Sequence, residues 1–164
     1  MHEGLGKSSL TVLLPCYLPN EHPILMQTIN HIIHKLEYGY PFCLIVCYNT
    51  PKPMDFEQVL LRLDGTVYPN GRSIKVVRVV ESHSKAQNLN AALERVETDY
   101  VALYDADHHP DPLSLLIAMA HMMAHDVHCV QGSTYLRHKP SLLSKVIDAE
   151  FFVIFFCFFP AVQV

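Results

Sequence analysis

Asp105 and Asp107 stand one residue apart, directly after the apolar run Tyr100-Val101-Ala102-Leu103-Tyr104 and directly before His108-His109-Pro110. Alternate residues of an extended chain project to the same side, so both carboxylates can face one ligand. Hard oxygen donors of this kind suit Mg²⁺ or Mn²⁺, ions that commonly carry phosphates in enzyme sites. The same pair would also suit a solvated loop or a helix N-cap. What surrounds it in the fold has to decide.

The flanking sequence reads as strands alternating with helices. Leu10 to Leu14 is an apolar run, expected to end as a strand at Pro15. Asn20 and Glu21 then open a helix with an apolar stripe through Ile24, Leu25, Thr28, Ile29, Ile32, Ile33 and Leu36. Phe42 to Tyr48 is a second strand, Phe56 to Leu63 a short helix and Ile74 to Val80 a third strand. Ser84 suits the N-cap of a helix from Lys85 to Leu93. Tyr100 to Tyr104 is the fourth strand, and Pro112 is expected in the first turn of the next helix. Val127 to Gln131 is predicted as a fifth strand and Ser141 to Phe159 as a final helix.

Strands that are apolar throughout imply a mainly parallel sheet covered by helices on both faces, an α/β fold of Rossmann-like type. In such sheets ligands bind at the carboxyl ends of the strands. The loops there hold Pro15 to Tyr17, Asn49-Thr50, Ser82 to Lys85 and Asp105 to His109. Candidate chemistry thus converges on one edge.

Composition sets the outer bounds. The chain has 164 residues, enough for a single domain with a real core, and half of them are hydrophobic. A formal net charge of -4 gives no basic stripe for nucleic acid. Five scattered cysteines give no disulfide framework and fit a reducing compartment. Cys43 and Cys47 share one predicted strand and read as small core residues. The segment Met1 to Ser9 lacks the apolar core of a signal peptide. Phe151 to Val162 carries no charge, is too short to span a bilayer, and reads as a buried or interfacial helix.

The chain resembles the amino-terminal part of a family 2 glycosyltransferase of GT-A fold, close to the cellulose-synthase-like branch. Four features carry the likeness: Pro15-Cys16-Tyr17 through Glu21, Lys85-Ala86-Gln87-Asn88-Leu89-Asn90, Asp105-Ala106-Asp107-His108, and Val130-Gln131-Gly132. The resemblance implies inverting transfer of a sugar from a nucleotide-diphosphate donor, commonly UDP-linked, to a glycan or lipid acceptor. It implies that Asp105 and Asp107 hold the donor diphosphate through Mg²⁺ or Mn²⁺. Lys85 would lie beside the donor, where its ammonium and the helix amides both favour phosphate. Pro15 and Tyr17 match the loop packed on the base, and Glu21 and Asn88 belong to the same donor set.

Two departures from the family pattern follow. Relatives often carry an Asp pair after the second strand, one of which contacts uracil; here that place reads Cys47-Tyr48-Asn49-Thr50. Asn49 retains an amide that can both donate and accept toward a base edge. The family's general base, an Asp in a Thr-Glu-Asp motif, and its Gln-x-x-Arg-Trp motif are absent, and the chain has no tryptophan. The base is therefore expected beyond Val164, in a longer chain of which this would be the donor-binding half. Family members are membrane-associated with this domain on the cytosolic side, and the Phe-rich helix could lie on that surface. A lone fragment would be cytoplasmic. The alternatives are an inactive remnant that binds nucleotide sugar and a metal-dependent nucleotidyltransferase. The latter usually has a glycine-rich basic loop after the first strand, which Pro15 to Glu21 lacks. His121 and His125, at i, i+4 spacing, read as a solvated or partly buried helix face, and the Met119, Met122 and Met123 cluster as core.

Overall fold

The computed structural model describes residues 9–134 and 140–158. Most of the polar amino terminus and the end of the Phe-rich run lie outside them. Strands β1 (Leu10–Tyr17), β2 (Cys43–Asn49), β3 (Ser73–Arg78) and β4 (Tyr100–Leu103) form one parallel sheet in the order β3-β2-β1-β4. Helices α1 (Leu18–Lys35), α2 (Phe56–Leu63) and α3 (Lys85–Leu93) fill the crossovers. Two compact units are present, Met1–Ala120 with the sheet and His121–Val164 with the last helix, and α4 (Ser114–His125) runs across their boundary.

Handedness decides which helix covers which face. The chain steps from β1 to β2 to β3 in one direction, then returns across the sheet to β4. Right-handed crossovers therefore put α1 and α2 on one face and α3 on the other. Leu13, Ile45 and Cys47 cluster with Ala92 of α3. The alternate residues Val12, Leu14, Leu44 and Val46 face the α1 side and are fully buried. Burial on both faces is why β1 and β2 read as unbroken apolar runs, whereas Val101 and Leu103 of the edge strand β4 are exposed. Burial also pushes the Cys47 thiol up to about 12, so this cysteine is a neutral packing group, as expected.

Helix α1 shows which term dominates. Pro23 lies inside it and removes a backbone hydrogen bond, at a cost of about 3 kcal/mol in a helix interior. Leu25, Ile29, Ile32 and Ile33 are fully buried, and each contributes roughly 1.5–3 kcal/mol. Packing wins.

Several boundaries differ from the sequence reading. Pro15 does not end β1; the strand runs on through Tyr17, with Pro15 opposite Cys47. The reason is directional. The Leu13 carbonyl accepts from the Tyr104 N–H on the β4 side, so the Pro15 nitrogen, two residues on, faces that side too. β4 stops at Leu103, leaving no ladder acceptor for the donor that proline lacks. Helix α1 begins at Leu18, with Pro19 in its first turn, rather than at Asn20. Helix α4 begins at Ser114, and Pro112 lies in the preceding turn, where its carbonyl accepts from the Glu37 N–H at 2.7 Å.

The expected fifth strand does not form among the described residues. Val127 to Gln131 makes no ladder and Val127 is exposed, because β-propensity is realised only against a partner strand. In the second unit, α5 (Leu142–Phe152) is capped by Ser141, but the expected single helix changes to a π-helical turn over Val153–Phe158. No residue of α5 is buried, and among the described residues no helix is long and apolar enough to cross a membrane. Of the methionine cluster, Met119 is core while Met123 is exposed.

Candidate functional site

In this order β1 and β4 are neighbours at which the winding of the sheet reverses, the chain running from β1 through α1 to β2 on one side and returning from β3 through α3 to β4 on the other. The crevice at their carboxyl ends is the topological switch point where open α/β sheets bind ligands. Tyr17 ends β1 and is 41% exposed. The loop from Tyr104 to Pro110 follows β4.

That loop brings together most of the expected charged groups. One ligand atom from each of Asp105, Asp107 and His108 lies within 4.8 Å of the others. His108 Nδ1 is 3.9 Å from Asp105 Oδ2, and its Nε2 is 3.9 Å from Asp107 Oδ1. An imidazole gives an ion one nitrogen, so the relevant bound is the 4.8 Å, somewhat wider than the spacing of about 3.0–4.2 Å between ligands of one octahedral ion at about 2.1 Å. Side-chain rotation would have to bring the three groups closer to hold a divalent cation. Lys85 Nζ pairs with Asp105 Oδ1 from the first turn of α3. Ser84 holds that turn in place, its hydroxyl accepting from the Gln87 N–H at 3.2 Å. His109 stacks on His31 at 4.9 Å between ring centroids, and His31 Nε2 lies 2.7 Å from the Pro110 carbonyl.

Thr28 anchors the loop, a contact that sequence reading did not single out. Its hydroxyl donates to the Ala106 carbonyl at 2.7 Å, and Ala106 is fully buried between the two carboxylates. The bond anchors the loop to α1 from below and leaves Asp105 and Asp107 facing outward. The available signal was one hydroxyl in an otherwise apolar stripe. Thr28→Val keeps the shape and removes the donor, which strands a buried carbonyl at a cost of about 1–3 kcal/mol. We expect a lower melting temperature together with weaker Mn²⁺ binding. A variant as stable as the native chain would show the loop to be held by other contacts.

The remaining expected residues are placed as follows. Pro15 is buried within β1. Glu21 Oε2 accepts from the Tyr17 N–H at 2.6 Å, closing the β1–α1 junction. Asn49 and Asn88 are buried and bonded to each other, Asn88 Nδ2 donating to Asn49 Oδ1 at 2.7 Å. Beyond them, Tyr48 and Arg78 both bond Glu57 Oε2, at 3.0 and 3.1 Å, and tie α2 to β2 and β3.

Known proteins give these features a context. The model of the family described as glycosyltransferase like family 2 matches residues 8–158. A cellulose synthase catalytic subunit (UDP-forming) of Xanthomonas axonopodis pv. citri is 48% identical over 44 residues, 27% of this chain and 6% of that protein. Its counterpart from Komagataeibacter sucrofermentans is 46% identical over 48 residues, 29% of this chain and again 6% of the relative. Each aligned stretch is thus a small part of the curated relative. Among solved structures, residues 1–349 of S. aureus TarS superpose with a TM-score of 0.55 at 19% identity, over 82% of this chain and 41% of that one. The same protein in complex with UDP-GlcNAc gives 0.53 at 20% identity, over 85% and 42%. At these identities the structural likeness shows the fold, and the fold is that of the GT-A sheet. The match over nearly the whole length decides membership: this chain belongs to the glycosyltransferase like family 2.

Proposed function

We propose that this chain is the donor-binding half of a single, inverting glycosyltransferase domain that uses a UDP-linked sugar. The observation that carries the reading is the meeting of Asp105, Asp107, His108 and Lys85 at the switch point of the sheet. Relatives named as UDP-forming and a neighbour solved with UDP and with UDP-GlcNAc support uracil as the base. Asp105 and Asp107, with His108 in reach, would hold Mg²⁺ or Mn²⁺. When bound, that ion neutralises the charge that develops on the departing diphosphate.

Lys85 has two partners in this scheme. Without a donor it balances Asp105. The pair is about half exposed, and such pairs contribute only about 0–1 kcal/mol. Turning the ammonium toward a phosphate therefore costs little, and the α3 amides beside it favour the same anion. Tyr17, exposed at the end of β1, offers a ring to the nucleobase. The acceptor is a glycan or lipid hydroxyl, and its deprotonation is assigned to no residue of this chain. The Phe-rich segment of the second unit is assigned to a membrane surface, with the domain on the cytosolic side; Phe152 and Phe156 are exposed there.

The reading is tested by titrating UDP, CDP, ADP and GDP into the chain in Mn²⁺. UDP is expected to bind tightest. A preference for a purine diphosphate would contradict the assignment of the donor.

A further inference from the structure

Asn49 and Asn88 spend their amides inside the protein. Asn88 Nδ2 donates to Asn49 Oδ1 at 2.7 Å and to the Cys16 carbonyl at 3.2 Å. Asn49 Nδ2 donates to the Ser82 carbonyl at 2.9 Å. These contacts join the end of β1, the end of β2, the loop before α3 and α3 itself. Two side chains thus tie together the segments that carry Tyr17, Thr50 and Lys85.

The arrangement has one visible cost. Asn88 is 1% exposed, and its Oδ1 is buried without a hydrogen-bond partner among the described residues. Turning the amide over would not help, because its oxygen would then face two other oxygens. An orphaned buried acceptor in a native site calls for a reason. Here the reason is that both protons of Asn88 Nδ2 are needed where they are. Asn49, 7% exposed, is similarly committed. A carboxylate at position 49 could accept from Asn88 but could not donate to Ser82. The amide is therefore matched to its protein partners, its Oδ1 accepting from Asn88 and one Nδ2 proton going to Ser82, and at 7% exposure it is turned toward the protein rather than toward solvent.

Resting on the donor site proposed above, we infer that Asn49 and Asn88 are positioning residues for the diphosphate rather than groups that read the nucleobase. They act through Ser82, two residues before the N-cap Ser84 and three before Lys85. Freeing the Ser82 carbonyl loosens the turn that aims both the Lys85 ammonium and the α3 amides.

The test compares UDP with inorganic pyrophosphate, each titrated in Mn²⁺ into native chain and Asn49→Ala, with circular dichroism confirming the fold of both. A positioning role weakens both ligands by the same factor, about five- to tenfold for one neutral hydrogen bond. In a Lys85→Ala background, Asn49→Ala should add a smaller loss than in the native chain, the part carried by the α3 amides alone, and an undiminished loss would mean that Asn49 does not act through Lys85. A loss confined to UDP, with pyrophosphate unaffected, would mean a base contact and overturn the inference. Native chain that binds neither ligand would defeat the donor site itself and this inference with it. Amide hydrogen exchange on the ligand-free protein is a separate check. Ser84 to Gln87 should exchange faster in Asn49→Ala, and unchanged exchange there would also overturn it.

Discussion

Asp107→Ala is expected to weaken UDP binding in Mn²⁺ by about two orders of magnitude while leaving the fold intact. The size follows from the ligand set. Replacing even the partners that orient a metal's ligands typically costs 10–100-fold, so loss of a direct carboxylate should cost at least about the upper end. Asp107 is the better probe of the two carboxylates. Its side chain is 61% exposed, and its contact within the site is the approach of His108. Removing an exposed group of this kind should change stability by less than about 0.5 kcal/mol. Asp105 is less clean, because its removal also frees Lys85 from its ion pair. A cation added back to Asp105→Ala would meet an unpaired ammonium as well as a missing ligand. Calorimetry on Asp107→Ala, paired with a melting curve, separates loss of the site from loss of the fold.

Arg72→Met is expected to cost about 3 kcal/mol of stability, a drop in melting temperature of roughly 6–12 °C for a chain of this size. Arg72 is 9% exposed and lies against the end of α1. Its guanidinium donates to the Ile33 carbonyl at 2.6 Å and the Leu36 carbonyl at 2.5 Å, with a longer contact to Ile32 at 3.4 Å. The same group sits 4.6 Å above the Phe42 ring. These are the carbonyls that a helix C-terminus leaves without partners, and a cation there also meets the negative end of the helix dipole. Hydrogen bonds from a charged donor contribute about 1.5–3 kcal/mol each, so the two short ones set the gross figure near 3–6. Desolvation takes part of it back, since burial lowers the Arg72 pKa and so disfavours its charged form. Methionine keeps much of the volume and supplies no donor. Gly71 makes the placement possible: its φ of 77° closes the turn before Arg72, and a Cβ there would come within 2.9 Å of Pro41. Because α1 also carries Thr28, the loss should reach the Asp105 loop. A melting temperature within 2 °C or so of native would contradict this account of the α1 terminus.

How much of this was legible in the sequence depends on range. The apolar runs of β1 to β4 announced a doubly covered parallel sheet, and Ser84 announced the start of α3, because those signals act over a few residues. The meeting of Asp105, Asp107 and His108 was equally local. What escaped depended on partners far along the chain. Pro15 is tolerated inside β1 only because β4, nearly ninety residues later, ends at Leu103. Thr28 looked like a member of an apolar stripe until Ala106 supplied its acceptor. Asn49 read as an amide that could meet a base edge, and its protein partners Asn88 and Ser82 lie too far along the chain for that reading to include them. Val127 to Gln131 failed in the opposite sense, with strand-like residues and no ladder to join.

The central claim is that the carboxylates at the end of β4 bind nucleotide diphosphate through a divalent cation. The most direct measurement is the affinity of UDP for native chain and for Asp107→Ala, each in Mn²⁺ and in EDTA. The expected result is UDP binding that Mn²⁺ tightens by at least about tenfold in the native chain, with that tightening lost in the variant. UDP affinity that is the same in all four titrations would contradict the claim.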